Sequence, residues 1–464
     1  MASHKTHLPS IGKTFTIQRH KPVHVVPAEP TPYEFKPLSD IDDQDGLRFY
    51  DTGIHLYKGD PSKKGQDPAR VIRDALAKAL VYYYPIAGRL REEAGRKLVV
   101  ECNSEGVVFV EAEADAWVED FGVAPVLPIP GSEKLLYGLE DYGHDVTNKP
   151  LLYIQVTRFK CGGFSLGLQI CHVIADAPGV VQFLAAVAEL ARDSTSSPSV
   201  KPVWDRHLLS ASSTPKNSQF SHLEYHEPKT PNDTAYDIML TTPSEEMINR
   251  SFFFGPKQLL ALRKCLPLHM RAKATNFELI TSAVWKSRSI ALDYPSDLEI
   301  RVSLVVNARG KRRFREIPEG YYGNAFVCPV ACATSGKLEE APLTYALELV
   351  RQAKEMATDE FLQSTIDFLV PHDRPHFVDT RTYVVSDITR AGFDAVDLGW
   401  GGRVFGGPAT VPSSASYFVK GRNERGEEGV VVPLCLPEFA MKKFVVEIEG
   451  LISYKKQIEA SSRM

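Results

Sequence analysis

The feature that most limits how this chain can fold is a long polar stretch near its middle. From residue 196 to 250 the sequence is rich in Ser, Thr, Pro, Asn and His and shows no long periodic segment. Such a stretch is uncommon inside a compact domain and is typical of a linker. The length of 464 residues allows two or three domains. We therefore expect two domains, 1–195 and 251–464, joined by a crossover linker at 196–250.

Helical and strand patterns alternate on both sides of this linker, which predicts a mixed α/β class. Asp67 before Pro68 is a good helix N-cap, and the helix it begins extends to about Tyr83. Thr275 and Glu278 form a capping box that opens another helix. The remaining elements are a helix at 177–192, a helical stretch at 342–369, strands at 97–102, 107–112 and 300–306, and a Gly-rich loop at 397–407.

A hairpin around Cys161-Gly162-Gly163 carries the first candidate functional residue. Side chains alternate along a strand, so those at 164, 166, 168, 170 and 172 share one face. His172 ends this apolar face, which places it at the wall of a cavity, and Asp176 follows four residues on. A neutral imidazole is a natural general base near neutral pH. The alternative is a hydrogen-bonded core histidine, and this pair of residues alone does not separate the two.

Charge and composition exclude several classes of function. Lys plus Arg number 54 and Asp plus Glu 58, a net charge of −4 that argues against nucleic-acid or anionic-membrane binding. No apolar run approaches the ~18 residues that a membrane span requires, and no signal peptide is visible. The seven cysteines are widely spaced, which indicates free thiols in a reducing compartment. No metal site is expected, and His222 and His226 are interpreted as surface residues.

Four short motifs occur together along the chain. They are Tyr84–Arg89 (Tyr-Pro-Ile-Ala-Gly-Arg), His172–Asp176, Tyr321–Asn324 (Tyr-Tyr-Gly-Asn) and Asp397–Gly401 (Asp-Leu-Gly-Trp-Gly). In order and spacing the chain resembles the plant BAHD acyltransferases, which depend on acyl-CoA. The resemblance extends from near residue 24 to about 450, and Leu398 replaces the Phe of the family's last motif.

This resemblance implies two similar domains of the chloramphenicol-acetyltransferase type, with an active-site channel between them. CoA would enter the channel from one side and the acceptor from the other. His172 would be the general base, and Asp176 would support it structurally through a basic partner. The last motif would be structural, with Asp397 paired to Arg309; its residues are Asp397, Gly399, Trp400 and Gly401.

The segments 38–48 and 386–392 resemble the alcohol acyltransferase clade, which includes benzyl alcohol O-benzoyltransferases. The predicted reaction transfers benzoyl from benzoyl-CoA to benzyl alcohol or a similar small alcohol, with no permanently bound cofactor. Three residues, Ser386, Asp387 and Thr389, are predicted to line the substrate pocket. An amine acceptor, a larger specialised-metabolite alcohol and a non-catalytic ligand-binding member stay open. The intact His172 argues against the last of these.

The basic cluster at 309–315 is the most concentrated positive charge in the chain. It is either a solvated loop or an anchor for a phosphate-bearing ligand. The second interpretation makes Lys311, Arg312 and Arg313 candidates for binding CoA.

The C-terminal Ser462-Arg463-Met464 has the small-basic-apolar pattern of a peroxisomal address. It predicts an import receptor as a partner. We therefore expect a soluble intracellular protein of the peroxisome or cytoplasm. Nothing in the sequence requires more than a monomer.

Overall fold

The computed structural model describes residues 15–122, 125, 127–138, 145–212, 219–228, 237–310 and 312–453. Its strands are β1 (Ile17–Arg19), β2 (Val23–Val25), β3 (Phe35–Pro37), β4 (Tyr50–Tyr57), β5 (Arg89–Glu92), β6 (Leu98–Glu101), β7 (Val107–Ala114), β8 (Leu152–Phe159), β9 (Phe164–Cys171), β10 (Met247–Phe254), β11 (Glu299–Asn307), β12 (Phe326–Val327), β13 (Val330–Thr334), β14 (Thr382–Asp387), β15 (Arg403–Pro408), β16 (Ala415–Arg422) and β17 (Glu428–Pro437). Its helices are α1 (Pro68–Tyr82), α2 (Ala177–Arg192), α3 (Ile238–Thr241), α4 (Pro256–Lys264), α5 (Leu268–Arg271), α6 (Asn276–Leu292), α7 (Ser335–Glu340), α8 (Leu343–Met356), α9 (Asp359–Leu369) and α10 (Glu438–Ile452).

The first sheet has the strand order β1-β7-β8-β9-β4-β15, with β2 also paired to β7. The predicted hairpin is confirmed, since β8 and β9 are antiparallel neighbours. Helices α1 and α2 share one apolar core with this sheet; Leu76, Leu80 and Leu184 pack in the same cluster as Phe164 and Leu166. The Asp67 carboxylate accepts a hydrogen bond from the Ala69 N–H at 3.2 Å, as expected of the N-cap. The strands predicted at 97–102 and 107–112 belong to different sheets, because β6 pairs with β3 and β5.

The second sheet has the order β10-β17-β16-β14-β11-β12, with β13 paired to β11. Helix α6 packs in one apolar core with this sheet, and Trp285 on that helix is among the largest fully buried side chains. The capping box is confirmed, since the Glu278 N–H donates to Thr275 Oγ1 and the Thr275 N–H to the Glu278 carboxylate. The predicted helical stretch at 342–369 is two helices, and Thr358 caps the second. The two sheet-rich halves confirm the mixed α/β class.

One strand crosses between the halves of the chain. The loop expected at 397–407 is confirmed for residues 397–402, but from Arg403 the chain forms β15, which pairs antiparallel with β4 and completes the first sheet. Glycines allow this close approach: a Cβ on Gly406 would lie 2.7 Å from Nδ1 of His55 on the neighbouring strand. The Gly-rich composition therefore marks a packed strand.

The predicted linker is partly ordered in short helical turns at 206–209, 223–225 and 244–246 and in α3. Its last residues, from Met247, already belong to β10. The domain boundaries at 195 and 250 stay a prediction. Among the described helices none is long and apolar enough to cross a bilayer.

Candidate active site

A cavity of about 830 Å³ lies between the two sheets. Strand β9 and the residue after it contribute Leu168, Ile170 and His172 to its wall, as their alternation in sequence predicts. The second sheet faces them with Val384 on β14 and Phe418 on β16. The wall is thus largely apolar around a single imidazole from the first sheet. Such a concave, mostly apolar site with a few polar groups is typical of small-molecule binding.

The backbone of His172 is held on both sides. Its N–H donates to the Phe49 carbonyl at 2.8 Å, and its carbonyl accepts from Nδ2 of Asn324, also at 2.8 Å. The ring packs against Phe49 and Phe326, with centroids 5.1 and 6.4 Å away. Nδ1 is buried and has no hydrogen-bond partner in the described parts of the chain. Nε2 is therefore the ring nitrogen left to meet a ligand.

Asp176 caps α2 and is bound to Arg309. Its Oδ1 accepts from the Gly179 N–H at 3.1 Å, and its Oδ2 accepts from the Ala325 N–H at 3.1 Å. Arg309 adds a bidentate pair, Nη1 to Oδ2 at 2.7 Å and Nη2 to Oδ1 at 3.0 Å. Within the described ranges no hydrogen bond joins this carboxylate to the imidazole of His172. The basic partner expected for Asp176 is thus Arg309, and it joins α2 to the end of β11.

The predicted pairing of Asp397 with Arg309 is wrong. Asp397 is exposed, and its carboxylate accepts the Gly399 N–H at 2.9 Å. Arg192, at the end of α2, donates to the Asp397 carbonyl. The apolar residues of this motif turn inward instead: Leu398 and Trp400 are buried, and the Trp400 ring lies 5.9 Å from that of Phe164 on the first sheet. Because Leu398 and Trp400 occupy the interior positions, the Asp397 carboxylate stays at the surface.

A Cβ on Gly401 would lie 3.0 Å from the Lys58 carbonyl, so this glycine permits close contact with the end of β4. Gly399 has a φ of +81°, which favours glycine. The motif is thus a packing element beside the first sheet.

Asp42, a buried carboxylate that the sequence did not single out, is linked to the His172 backbone through Asn324. Asp42 is fully buried and accepts from Arg206 Nη1 at 2.6 Å and from the backbone N–H and Nδ2 of Asn324 at 2.8 and 2.9 Å. The same Asn324 amide holds the His172 carbonyl. Asp42 lies in the segment 38–48 and Asn324 in the Tyr321–Asn324 motif, and no local pattern links them because 282 residues separate them.

Arg206 lies in the predicted linker, yet it is only 2% exposed. Its Nη2 donates to the Ile174 carbonyl, inside the His172–Asp176 motif, at 2.8 Å. This part of the linker is therefore attached to the candidate site.

The predicted substrate-pocket residues Ser386, Asp387 and Thr389 all line the cavity. The Asp387 carboxylate accepts from the Thr389 N–H at 3.0 Å and from its hydroxyl at 2.6 Å, so it shapes the turn after β14.

The basic cluster does not act as one patch. Arg313 lines the cavity and donates to the Lys354 carbonyl at 2.9 Å, while Arg312 is exposed and is not part of the wall. Arg315 is bound to Asp359 at 2.7 Å, and Arg309 to Asp176. Lys311 lies outside the described residues. Of the three predicted CoA-binding residues, the structure places Arg313 at the cavity.

His222 was interpreted as a surface residue, and this is wrong. It is 2% exposed, with Nδ1 3.0 Å from the Glu224 carboxylate and Nε2 2.6 Å from the Ser364 hydroxyl. These contacts fix the linker against α9, a tertiary arrangement that local sequence does not reveal. Among the described residues no group of three or more His, Cys, Asp or Glu side chains could hold a metal ion.

Two mixed sheets enclose a cavity, and a histidine is held there at the end of a strand, as expected of a two-domain acyltransferase. The chain matches the Transferase family model over residues 15–451. It therefore belongs to this family, the BAHD acyltransferases, and is an acyl-CoA-dependent O-acyltransferase.

Named relatives and solved structures agree with this assignment. The chain is 48% identical to benzyl alcohol O-benzoyltransferase of Nicotiana tabacum, covering 97% of this chain and 96% of the relative. It is 43% identical to alcohol acyltransferase 16 of Actinidia chinensis var. chinensis, covering 94% of each. Its fold is similar to that of vinorine synthase, with a TM-score of 0.69, 22% identity and coverage of 94% and 98%. TRI101 of F. sporotrichioides, solved with coenzyme A and T-2, gives a TM-score of 0.69 at 16% identity, with coverage of 91% and 98%.

Proposed function

We propose that this enzyme transfers an aromatic acyl group, benzoyl, from CoA to a small alcohol such as benzyl alcohol, and that His172 is the general base. The observation that carries the proposal is the position of His172, whose Nε2 is available at an apolar cavity between the sheets. The names of the relatives support the benzoyl and alcohol specificity. Phe49, Ile170 and Phe418 in the wall suit a planar aromatic group.

In the proposed reaction His172 Nε2 takes the proton of the acceptor hydroxyl while the neutral ring keeps its other proton on Nδ1. The alkoxide oxygen attacks the thioester carbonyl and forms a tetrahedral oxyanion. Collapse of that intermediate breaks the C–S bond and releases the CoA thiolate, whose conjugate thiol has a pKa of about 8.5. The proton held by the imidazole then passes to the thiolate. Asn324 and the Phe49 carbonyl hold the histidine backbone during these steps.

Arg313 is the proposed contact for CoA phosphate among the basic residues, because it is the described member of the predicted trio in the cavity wall. Its guanidinium gives up one donor to the Lys354 carbonyl and keeps others for an anion. Arg312, which is exposed outside the wall, offers a comparison. An Arg313→Ala variant is expected to raise KM for acyl-CoA about tenfold, whereas Arg312→Ala leaves it within twofold.

The proposed reaction is tested with benzoyl-, acetyl- and hexanoyl-CoA against benzyl alcohol, hexanol and benzylamine, with products identified by mass. We expect benzyl benzoate as the main product, and His172→Ala to lower kcat at least a thousandfold. His207→Ala is the matched control, since His207 is exposed in the linker. Near wild-type turnover by the His172→Ala variant would exclude the general-base role. Amide formation from benzylamine in preference to the ester would assign the enzyme to nitrogen acceptors.

We also propose that the enzyme is a monomer imported into peroxisomes through Ser462-Arg463-Met464. This tripeptide lies outside the described residues. Imaging the full chain with an N-terminal fluorescent tag, with and without the last three residues, tests the address. A cytosolic signal in both forms would end the idea, and sedimentation of the purified chain tests the monomer.

A further inference from the structure

A second ionisable group from the first sheet lies in the wall of the cavity. Asp51, at the start of β4, is the register partner of Ile170, and Gly53 is the partner of Leu168. Residues directly opposite each other in an antiparallel pair project to the same face. The Asp51 side chain therefore shares a face with Ile170 and Leu168, beside His172, and all four residues line the cavity. The reaction described above gives this carboxyl group no role.

The Asp51 carboxyl has few partners. Its Oδ1 accepts the Thr52 N–H at 2.8 Å. Within the described ranges no salt bridge and no further hydrogen bond engages it, and none joins it to His172. Burial raises its pKa, against the opposing effects of His172 and of the Thr52 N–H. Tyr417 on β16 also lines the cavity, and burial and the charge of Asp51 together hold the pKa of its phenol well above its usual range.

An incompletely bonded carboxyl in an apolar wall is costly unless a ligand satisfies it. The transferred benzoyl group has no hydrogen-bond donor, and the phosphates of CoA are anions that a carboxylate repels. An acceptor hydroxyl that reacts at His172 is already used for proton transfer. Apart from the amide N–H and hydroxyl groups of the CoA arm, the polar group that this position fits is a second hydroxyl on the acceptor, which can bond to the carboxyl as either donor or acceptor.

We infer that Asp51 is a specificity-determining residue that binds a second hydroxyl of the acceptor, so that the preferred substrates are small aromatic diols. This inference rests on the proposed function and narrows its acceptor class. A hydroxyl bound to Asp51 would hold the reacting hydroxyl of the same molecule beside His172. Hydrogen bonds to ionised groups are among the stronger ones, so the expected discrimination is about tenfold to hundredfold.

The test compares kcat/KM for benzyl alcohol with that for 1,2-, 1,3- and 1,4-benzenedimethanol at saturating benzoyl-CoA. After division by two for the paired hydroxyls, we expect one or more of these diols to exceed benzyl alcohol at least tenfold. Asp51→Leu should bring that ratio to within threefold of unity, and Asp51→Asn should retain part of the preference. Asp115→Ala is the matched control, because Asp115 also accepts a backbone N–H but is exposed outside the cavity wall.

Several outcomes would overturn the inference. One is a wild-type enzyme without preference for any of these diols. Another is an Asp51→Leu variant that loses the same fraction of kcat for every acceptor and has a shifted acid limb in its pH–rate profile. That result would show that Asp51 acts on the protonation of His172 and does not bind the acceptor. An increase confined to KM for benzoyl-CoA would assign it to the acyl donor.

If no alcohol is acylated at all, the proposed function fails, and calorimetric binding of the diols against benzyl alcohol still tests Asp51. Circular dichroism and thermal unfolding establish that each variant folds. If Asp51→Leu does not fold, the ratio measured with Asp51→Asn decides, and an unchanged ratio contradicts the inference.

Discussion

The ion pair between Asp176 and Arg309 should control the stability of the enzyme far more than Asp397 does. An Asp176→Ala substitution removes a carboxylate that accepts from two backbone N–H groups and a bidentate guanidinium. The two side chains are 9% and 17% exposed, so the remaining guanidinium would be mostly buried without its anion. Breaking a buried pair on one side costs roughly 3–5 kcal/mol, and loss of a helix N-cap alone costs about 1 kcal/mol. We expect a loss of about 3–5 kcal/mol.

The corresponding loss for Asp397→Ala should be about 0.5–1 kcal/mol. Its carboxylate is exposed and accepts the Gly399 N–H, and an ordinary hydrogen bond contributes about that much. Each of the two aspartates stands in a family motif, so a motif-based argument treats them alike. Their partners in the fold separate them by several kcal/mol.

The assay is urea unfolding of Asp176→Ala, Arg309→Ala, their double variant and Asp397→Ala, followed by fluorescence and circular dichroism. Coincident transitions justify a single free energy of unfolding. Because Asp176 and Arg309 are in contact, the double variant should lose about 1–3 kcal/mol less than the sum of the single losses. Additive losses, or a larger loss for Asp397→Ala than for Asp176→Ala, would refute this reasoning.

Three further predictions follow from other parts of the fold. Burial, followed by the charge of Arg403, lowers the pKa of His55 to about 3. The unfolded chain, in which this pKa is about 6.5, therefore binds a proton that the folded enzyme does not. The free energy of unfolding is unaffected above pH 6.5 and falls as the pH drops, by about 2 kcal/mol at pH 5. His55→Phe should remove that part of the slope in urea midpoints measured from pH 7.5 to 5, and an unchanged slope would contradict it. Gly179→Ala should lower the free energy of unfolding by more than about 2 kcal/mol, because the new Cβ would lie 2.1 Å from the Tyr322 carbonyl. Gly450→Ala on α10 is the control; it has open space around it and should raise the free energy of unfolding by up to about 1 kcal/mol. Asn324→Ala should lower kcat about tenfold with little change in KM. The Asn324 amide donates to both Asp42 and the His172 carbonyl, so its loss leaves that carbonyl without its anchor. An increase in KM alone would argue against this role.

Local signals in the sequence predicted local structure well. The Asp67–Pro68 start of α1 and the capping box of α6 depend on residues within four positions of each other, and both are confirmed. The face of β9 that ends at His172 follows from strand alternation alone. The mixed α/β class follows from counting such elements on both sides of the polar stretch.

Contacts between distant residues were less accessible. The sequence offers two aspartates for Arg309, and the choice depends on where the start of α2 lies relative to the end of β11 in space. The burial of His222 depends on α9, which lies more than a hundred residues further along the chain. The position of Asp51 in the cavity wall could not be predicted from local sequence, because it depends on the register between β4 and β9 that places it beside His172.

The pairing of β15 with β4 has a consequence for how the enzyme is made. Thr52, on β4, contacts Thr410, just beyond β15, across a separation of 358 residues. At ordinary elongation rates of about 5–20 residues per second, a ribosome needs on the order of 20 to 70 seconds to synthesise that intervening chain. Until then β4 is an open edge with unpaired backbone groups, a template for pairing with other nascent chains. Protection of that edge by a chaperone should therefore raise the yield of active enzyme.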